Sequence, residues 1–514
     1  MIEASQALPA GTLIEAFAAA AAETPDAAFI GYSTTDASSG KLSEIVADGR
    51  RAGTRLTTMG IGAGDIVAVM LPNWRAWLVA CVATQQAGAV MLPIVSMYGA
   101  KELGFVLRQS RARLIVTPAS WRKVDYAALL ADAGPSPDLQ THLLVADLDA
   151  LTAPIEIAAP PHRAPCDLAM LVYTSGTTAD PKGVRHSSRT LLAELAAQKA
   201  SRGTVENEVL LTPWPPGHVA GALSLLRFLA SGVPVVAMDQ WDATAAAELI
   251  ERHRATTSSG TPFHLAGIID AGDRDRRDLS SLGNYIVGAA PVPAALVERS
   301  VASGMAVYHC YGSSEHPTVT SGTAADPLDK RLHTEGRVMA GSEIRFVDDV
   351  GDDVPPGSDG EIATRGPELF EGYFDASLDA AAFLPGGWYR SGDIGRLDDD
   401  GYLLITDRKK DIIIRGGENI ASREVEDLLR QHPDIADVAV IAAPDARMGE
   451  VVMACVVARP GAEPSIASIG DYFRVLGVAR HKTPERLMLV EELPRNASGK
   501  VLKHVLRSLD SARG

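Results

Sequence analysis

Leu168-Ala169-Met170-Leu171-Val172 runs directly into Tyr173-Thr174-Ser175-Gly176-Thr177-Thr178-Ala179-Asp180-Pro181-Lys182-Gly183. The first five residues read as a buried strand. The next eleven hold four aliphatic hydroxyls, two glycines and a lysine. Such a loop brings backbone N–H groups, hydroxyls and an ammonium to a polyphosphate, and glycine lets the backbone come close. A plain surface turn is the competing reading, because Ser, Thr, Gly and Pro are ordinary loop residues. The stretch is not the P-loop of kinases and GTPases, since Lys182 precedes Gly183 and Val184 follows.

At 514 residues the chain exceeds one compact core, so two or more packed units are expected. Its alternation of short apolar runs with Ala-rich helical stretches predicts α/β layers with largely parallel sheets. Strand candidates are Ile66–Leu71, Ala89–Leu92 ended by Pro93, Leu114–Val116, Val233–Val236 and Tyr285–Val287; Trp74–Gln86 reads as a helix. Near residue 340 the texture changes. Ser342–Val347 and Gly360–Thr364 tend towards period two between Asp-, Gly- and Pro-rich turns, which predicts a small antiparallel or barrel-like unit. Asp398–Tyr402 reads as a tight turn. Beyond Lys409-Lys410-Asp411 lies a section long enough for a small α+β domain, with strands at Val438–Ala442 and Val451–Val457. The expected boundary gives an N-terminal domain over 1–409 and a C-terminal domain over 410–514.

A net charge of −16 argues against a nucleic-acid partner, which needs a basic patch. Cys81, Cys166, Cys310 and Cys455 are scattered without metal-ligand spacing and read as reduced thiols of a cytoplasmic protein. The start lacks the basic region of a signal peptide, and Ile66–Val95 is too interrupted to span a membrane.

Four further stretches carry chemistry. In Tyr308-His309-Cys310-Tyr311-Gly312-Ser313-Ser314-Glu315, a carboxylate follows a Gly-Ser turn; it suits Mg²⁺, although alone it reads as an ordinary loop glutamate. In Trp388-Tyr389-Arg390-Ser391-Gly392-Asp393, the aspartate reads equally well as a turn cap. Thr406-Asp407-Arg408-Lys409-Lys410-Asp411, before Arg415-Gly416-Gly417-Glu418, is a charge run at the change of texture; a solvated face and a hinge are both open. Pro494-Arg495-Asn496-Ala497-Ser498-Gly499-Lys500 puts a lysine on a glycine-containing loop, a position usually left to solvent.

Together these stretches, in this order, resemble the adenylate-forming superfamily: acyl-CoA synthetases, luciferases and the adenylation domains of peptide synthetases. The loop at 173–183 is similar to that family's phosphate signature, with Ala179 where glycine is usual. Tyr311-Gly312-Ser313-Ser314-Glu315 resembles its Tyr-Gly-x-Thr-Glu motif, with Ser314 keeping the hydroxyl. The resemblance covers essentially the whole chain. It implies a large α/β N-terminal domain, a small mobile C-terminal domain, ATP, Mg²⁺ and coenzyme A.

By that resemblance Thr174, Ser175, Gly176, Thr177, Thr178 and Lys182 hold phosphates, and Gly288, Ala289, Ala290, Tyr311, Gly312 and Ser314 border adenine. Glu315 holds magnesium, Asp393 the ribose hydroxyls, and Arg408 the nucleotide. Lys410 is the hinge, where many relatives have Asp. Gly416 and Gly417 line the pantetheine channel, and Lys500 is the catalytic cation. The acid pocket falls to Trp214, His218, Ala222, Thr261, Phe263 and His316, with His218 as gate or as a structural histidine. The expected reaction joins a carboxylic acid to AMP and then to CoA, with a medium-chain, alicyclic or sterol-derived acid favoured. An amino- or aryl-acid adenylating enzyme, a luciferase-like oxygenase and a non-catalytic nucleotide-binding regulator stay as alternatives. The gate segment lacks a carboxylate for a substrate amine, and with fourteen residues after Lys500 a carrier domain is not expected. A homodimer is a further open expectation.

Overall fold

Short apolar runs become parallel strands here because helices cover both of their faces, so no alternation with polar residues is needed. A computed structural model describes all residues except 1–10, 34–37, 175–180, 204, 289–291, 293, 416–417, 446, 477, 496–500 and 512–514, and leaves out the side chains at 410, 418, 419 and 511. The described residues form two compact units. The first draws on 1–176, 180–343 and 365–382, the second on 344–364 and 383–514.

The first unit contains a six-stranded sheet in the order Gly183–Ser187, Leu168–Tyr173, Val90–Pro93, Ile66–Val69, Leu114–Thr117 and Thr141–Leu144. All neighbours are parallel except the outermost Gly183–Ser187, which returns antiparallel from Leu168–Tyr173. Successive residues of its central strand enter opposite cores. Val67 and Val69 join one cluster, while Ile66 and Ala68 join another. The same unit holds a nine-stranded sheet whose middle six strands are parallel, in the order Ala306–Tyr311, Asn284–Val287, Thr257–Gly260, Leu210–Thr212, Val235–Met238 and Ala28–Tyr32. Leu210 and Val235 share a core with Val67 and Met91, so one apolar layer serves both sheets. Trp77, on helix Arg75–Gln86, lies fully buried in that layer; truncating such a side chain to Ala costs about 3–5 kcal/mol.

The sequence reading located these strands to within two residues. Two boundaries differ, both at prolines. Pro93 is the last residue of its strand rather than the one after it: it pairs with Val69, whose carbonyl accepts from the N–H of Ile94, so this bond does not call on the missing donor. The strand expected from Val233 starts at Val235, after Pro234.

The second unit has an antiparallel sheet built from Gly360–Arg365, Trp388–Leu397, Phe383–Leu384 and Leu403–Arg408, with Glu343–Val347 at its edge. The Asp398–Tyr402 turn forms as expected: the Asp398 carboxylate accepts from the N–H groups of Asp400 and Tyr402. A second sheet pairs Ile435–Asp445 with Gly449–Ala458 antiparallel, and Arg486–Leu489 adds in parallel. Val438 and Val440 face Val425, Leu429 and Phe473, while Ala439 and Ile441 face Leu493 and Leu506. Among the described residues no helix is long and apolar enough to cross a membrane.

Candidate active site

Four neighbouring parallel strands of the nine-stranded sheet end at residues expected to touch substrate. Leu210–Thr212 leads to Trp214, Thr257–Gly260 to Thr261, Asn284–Val287 to Gly288, and Ala306–Tyr311 to Gly312. In open α/β sheets the carboxyl ends of strands form the natural crevice for a ligand. The expected acid pocket and adenine border therefore lie side by side, although they come from four separate parts of the sequence. Ala289 and Ala290 lie outside the described residues.

The turn after Ala306–Tyr311 is tightly drawn. A Cβ on Gly312 would stand 1.9 Å from the Pro317 carbonyl oxygen, so only glycine fits. The Ser313 hydroxyl accepts from the N–H groups of Glu315 and His316, and Phe370 N–H donates to the Glu315 carbonyl at 2.8 Å. Behind the turn, His186 Nε2 stands 2.8 Å from the Ser314 carbonyl oxygen. A carbonyl only accepts, so this nitrogen carries the proton. Nδ1 then accepts from Thr190, 3.2 Å away. Burial pushes the His186 pKa down to about 4 against the opposing pull of the Ser314 carbonyl, so the ring is neutral. Glu194, fully buried on the following helix Ser188–Arg202, accepts from the Thr318 hydroxyl and from Gln198. Desolvation raises the Glu194 pKa to about 7.

Glu315 is itself buried, and its Oε1 accepts from the Tyr373 hydroxyl at 2.7 Å. Thr174 and Lys182 close the base of the loop expected to hold phosphate: Thr174 N–H donates to the Lys182 carbonyl at 3.0 Å, and Lys182 N–H to Thr174 Oγ1 at 3.3 Å. Ser175, Gly176, Thr177 and Thr178 between them lie outside the described residues. Among those described, no group of three or more His, Cys, Asp and Glu forms a metal cage. A single buried carboxylate fits an ion that takes its other oxygens from phosphate and water, as Mg²⁺ does.

The acid-pocket residues differ in surroundings. Trp214 is buried, with its indole N–H donating to Ser259 at 3.0 Å and its ring edge-on to His264. Thr261 N–H donates to the same His264, at Nδ1, over 3.1 Å. His218 caps helix Val219–Ser231, and its Nε2 is buried with no hydrogen-bond partner. Burial pushes its pKa down to about 4, leaving an uncharged ring. Ala222 packs into the apolar layer shared by the two sheets. Phe263 is 64% exposed, edge-on to Trp241. His316 is buried, within 3.2 Å of the Ser342 hydroxyl and 3.8 Å of the Glu368 carboxylate.

In the second unit, Asp393 and Arg408 face one another across paired strands, with Arg408 Nε 3.0 Å from Asp393 Oδ1. Lys410 is the middle residue of the short turn Lys409–Asp411, whose Lys409 binds Glu361 and Asp349. Gly416, Gly417 and Lys500 lie outside the described residues.

His186, Glu194, His264 and Tyr373 escaped the sequence reading. Only His264 left a local signal: a Thr-Pro-x-His start, in which the side chain three residues on caps the helix.

Residues 17–374 match the AMP-binding enzyme family, and 424–500 match the AMP-binding enzyme C-terminal domain. The chain belongs to the AMP-binding enzyme family. Within this family it stands with the AMP-forming acyl-CoA ligases, members of the adenylate-forming superfamily. It is 36% identical over 469 residues to a medium-chain fatty-acid–CoA ligase of Escherichia coli strain K12, covering 87% of this chain and 82% of that protein. It is 37% identical over 485 residues to a methyl-dioxo-octahydro-indenyl-propanoyl:CoA ligase of Mycobacterium tuberculosis, covering 89% and 91%. The fold is shared with an o-succinylbenzoate–CoA synthetase of Bacillus subtilis solved with ATP and a magnesium ion, at a TM-score of 0.82 and 28% identity, over 95% of this chain and 98% of that one. The AMP-binding enzyme described here is thus an AMP-forming acid–thiol ligase.

Proposed function

We propose that this AMP-binding enzyme activates a medium-chain or alicyclic carboxylic acid with ATP and passes the acyl group to coenzyme A. The observation that carries the reading is the row of strand ends at Trp214, Thr261, Gly288 and Gly312, with the buried Glu315 one turn beyond. A carboxylate oxygen of the acid attacks the α-phosphorus of ATP; the new P–O bond forms as pyrophosphate leaves. Thr174, Lys182 and the loop between them hold the phosphates, Gly288, Tyr311 and Gly312 border the base, and Asp393 accepts from the ribose hydroxyls with Arg408 beside it. Glu315 would hold Mg²⁺, which when bound neutralises phosphate charge. Lys500 supplies a cation to the oxygens on which negative charge grows. The C-terminal domain, 410–514, then turns about Lys410, and Gly416 and Gly417 line the path of the CoA thiol. Its sulfur attacks the acyl carbon and AMP departs with the former carboxylate oxygen.

The pocket supports an apolar acid. His218 offers a neutral ring, Trp214 and His264 have spent their nearest polar atoms on Ser259 and Thr261, and no carboxylate stands in the segment 214–222. The names of the two ligases above, one for medium-chain fatty acids and one for a bicyclic propanoate, support the same class. The test is CoA-dependent AMP release across acids graded in length and ring content. Octanoate-like and bicyclic acids should exceed acetate by at least about tenfold, since each buried CH₂ contributes about 0.8 kcal/mol. Equal rates for acetate and octanoate would exclude the assigned pocket, and no acid-stimulated exchange of pyrophosphate into ATP would exclude the activity.

A further inference from the structure

Tyr373 lies on none of the stretches that announce the reaction, yet it touches two of their key residues. Gly372, at φ +94°, turns the chain so that the Tyr373 N–H donates to Asp379 at 2.8 Å. Val184 and Tyr373 form an antiparallel bridge, and Phe374 N–H donates to the Gly183 carbonyl at 2.7 Å. The segment is thereby fixed to the strand that leaves the phosphate loop. Phe370 backs the tyrosine ring edge-on at 4.9 Å, and Tyr373 is 2% exposed.

The ring set in this way has two working parts. Its face receives the Lys182 ammonium, 4.9 Å from the centroid. Its hydroxyl donates to Glu315 Oε1 at 2.7 Å. A carboxylate has room for several partners, so one donor on Oε1 orients the group and leaves capacity for a cation. A π face attracts an ammonium without neutralising it, so Lys182 keeps its charge for phosphate.

We infer that Tyr373 is a positioning residue that couples the phosphate lysine to the magnesium carboxylate, holding Lys182 on its ring face and aiming Glu315 through its hydroxyl. The inference rests on the assignment of Glu315 to magnesium proposed above.

The two parts separate by substitution. Tyr373→Phe keeps the π face and removes the hydroxyl; Tyr373→Leu removes both. Calorimetric ATP binding, measured with Mg²⁺ and with EDTA on variants whose thermal unfolding remains cooperative, reads the two parts apart. The expected result for Tyr373→Phe is a loss of roughly ten- to a hundredfold in the Mg²⁺-dependent gain in ATP affinity. Its ATP affinity in EDTA should stay within about twofold, because the ring face on which Lys182 rests is retained. Tyr373→Leu should lose the same gain and also bind ATP roughly two- to fivefold more weakly in EDTA. An unchanged Mg²⁺-dependent gain in Tyr373→Phe, or identical behaviour of the Phe and Leu variants in EDTA, overturns the coupling. Glu315→Gln in the same assay tells the two failures apart. If it loses the gain while Tyr373→Phe keeps it, only the tyrosine inference falls. If Glu315→Gln keeps the gain, the metal assignment falls and the inference with it.

Discussion

His186 places a neutral imidazole behind the Ser314 carbonyl, and its titration sets one limit on stability. Its folded pKa, about 4, lies below the ordinary histidine value of 6.5, chiefly because burial disfavours the charged ring. As pH falls the unfolded chain takes the proton first. The stabilising contribution is therefore complete above pH 6.5 and is lost as pH drops towards 4. For this fully buried group the loss is on the order of 3 kcal/mol. His218 and His264 are pushed down to about 4 by burial in the same way and add to the acid-side loss. Glu194 acts in the opposite sense: its pKa is raised from 4.5 to about 7, so its contribution is present below 4.5 and fades as pH rises to about 7. Three histidines outweigh one glutamate, so the unfolding midpoint in urea should fall as pH goes from 6.5 to 4. His186→Gln, which keeps a donor for Ser314 but does not titrate, should flatten that fall. A variant with the same acid dependence as the parent would assign the loss to other groups.

Among the elements, the turn around Lys410 has an unusual fastening. Asp407 precedes it, on the strand Leu403–Arg408, and its carboxylate accepts from the N–H and hydroxyl of Ser422, at the start of helix Ser422–Arg430. Lys503, on helix Lys503–Ser511, donates to the Ser422 hydroxyl and to Glu426, both at 2.8 Å. Arg507 of the same helix binds Asp411 at 2.7 Å. The bonds of Asp407 run from one side of the proposed pivot to the other, so rotation about Lys410 has to break them; the Arg507–Asp411 pair lies wholly on the far side and travels as a unit. Asp407→Asn should loosen the turn and raise tryptic cleavage after Lys409 and Lys410 several-fold, with little change elsewhere. Cleavage at the parent rate would place the pivot away from this fastening.

For the whole molecule, the decisive question is the division of labour between the two half-reactions. If Lys500 acts only while the acid is activated, Lys500→Ala should lower acid-dependent pyrophosphate exchange by roughly 10²–10³. The same variant should still convert a supplied acyl-adenylate to thioester with CoA. Equal loss of both steps would end the two-position scheme. This test matters because the scheme joins parts of the chain that no single sheet or helix holds together.

The sequence by itself determined the α/β class, most strand positions and the order of the chemical stretches, because those are local matters: apolar runs, glycine turns, and hydroxyls beside a lysine. It singled out Glu315, Asp393 and Arg408 but left open the elements that carry them: Glu315 lies in the turn after Ala306–Tyr311, and the other two on Trp388–Leu397 and Leu403–Arg408. Only the tertiary structure decided which distant side chains face these residues. His186 meets Ser314 from 128 positions away, and Tyr373 meets Glu315 from 58. No periodicity or spacing encodes such pairs; they arise because the antiparallel edge strand Gly183–Ser187 carries His186 to the Ser314 carbonyl and its Val184 bridges Tyr373. The same holds for Ala222 and Phe263, read alike as pocket walls, which packing sends to an apolar core and to the surface. Burial then sets the chemistry, since only a dry interior keeps His186 uncharged and Glu194 near the point of protonation.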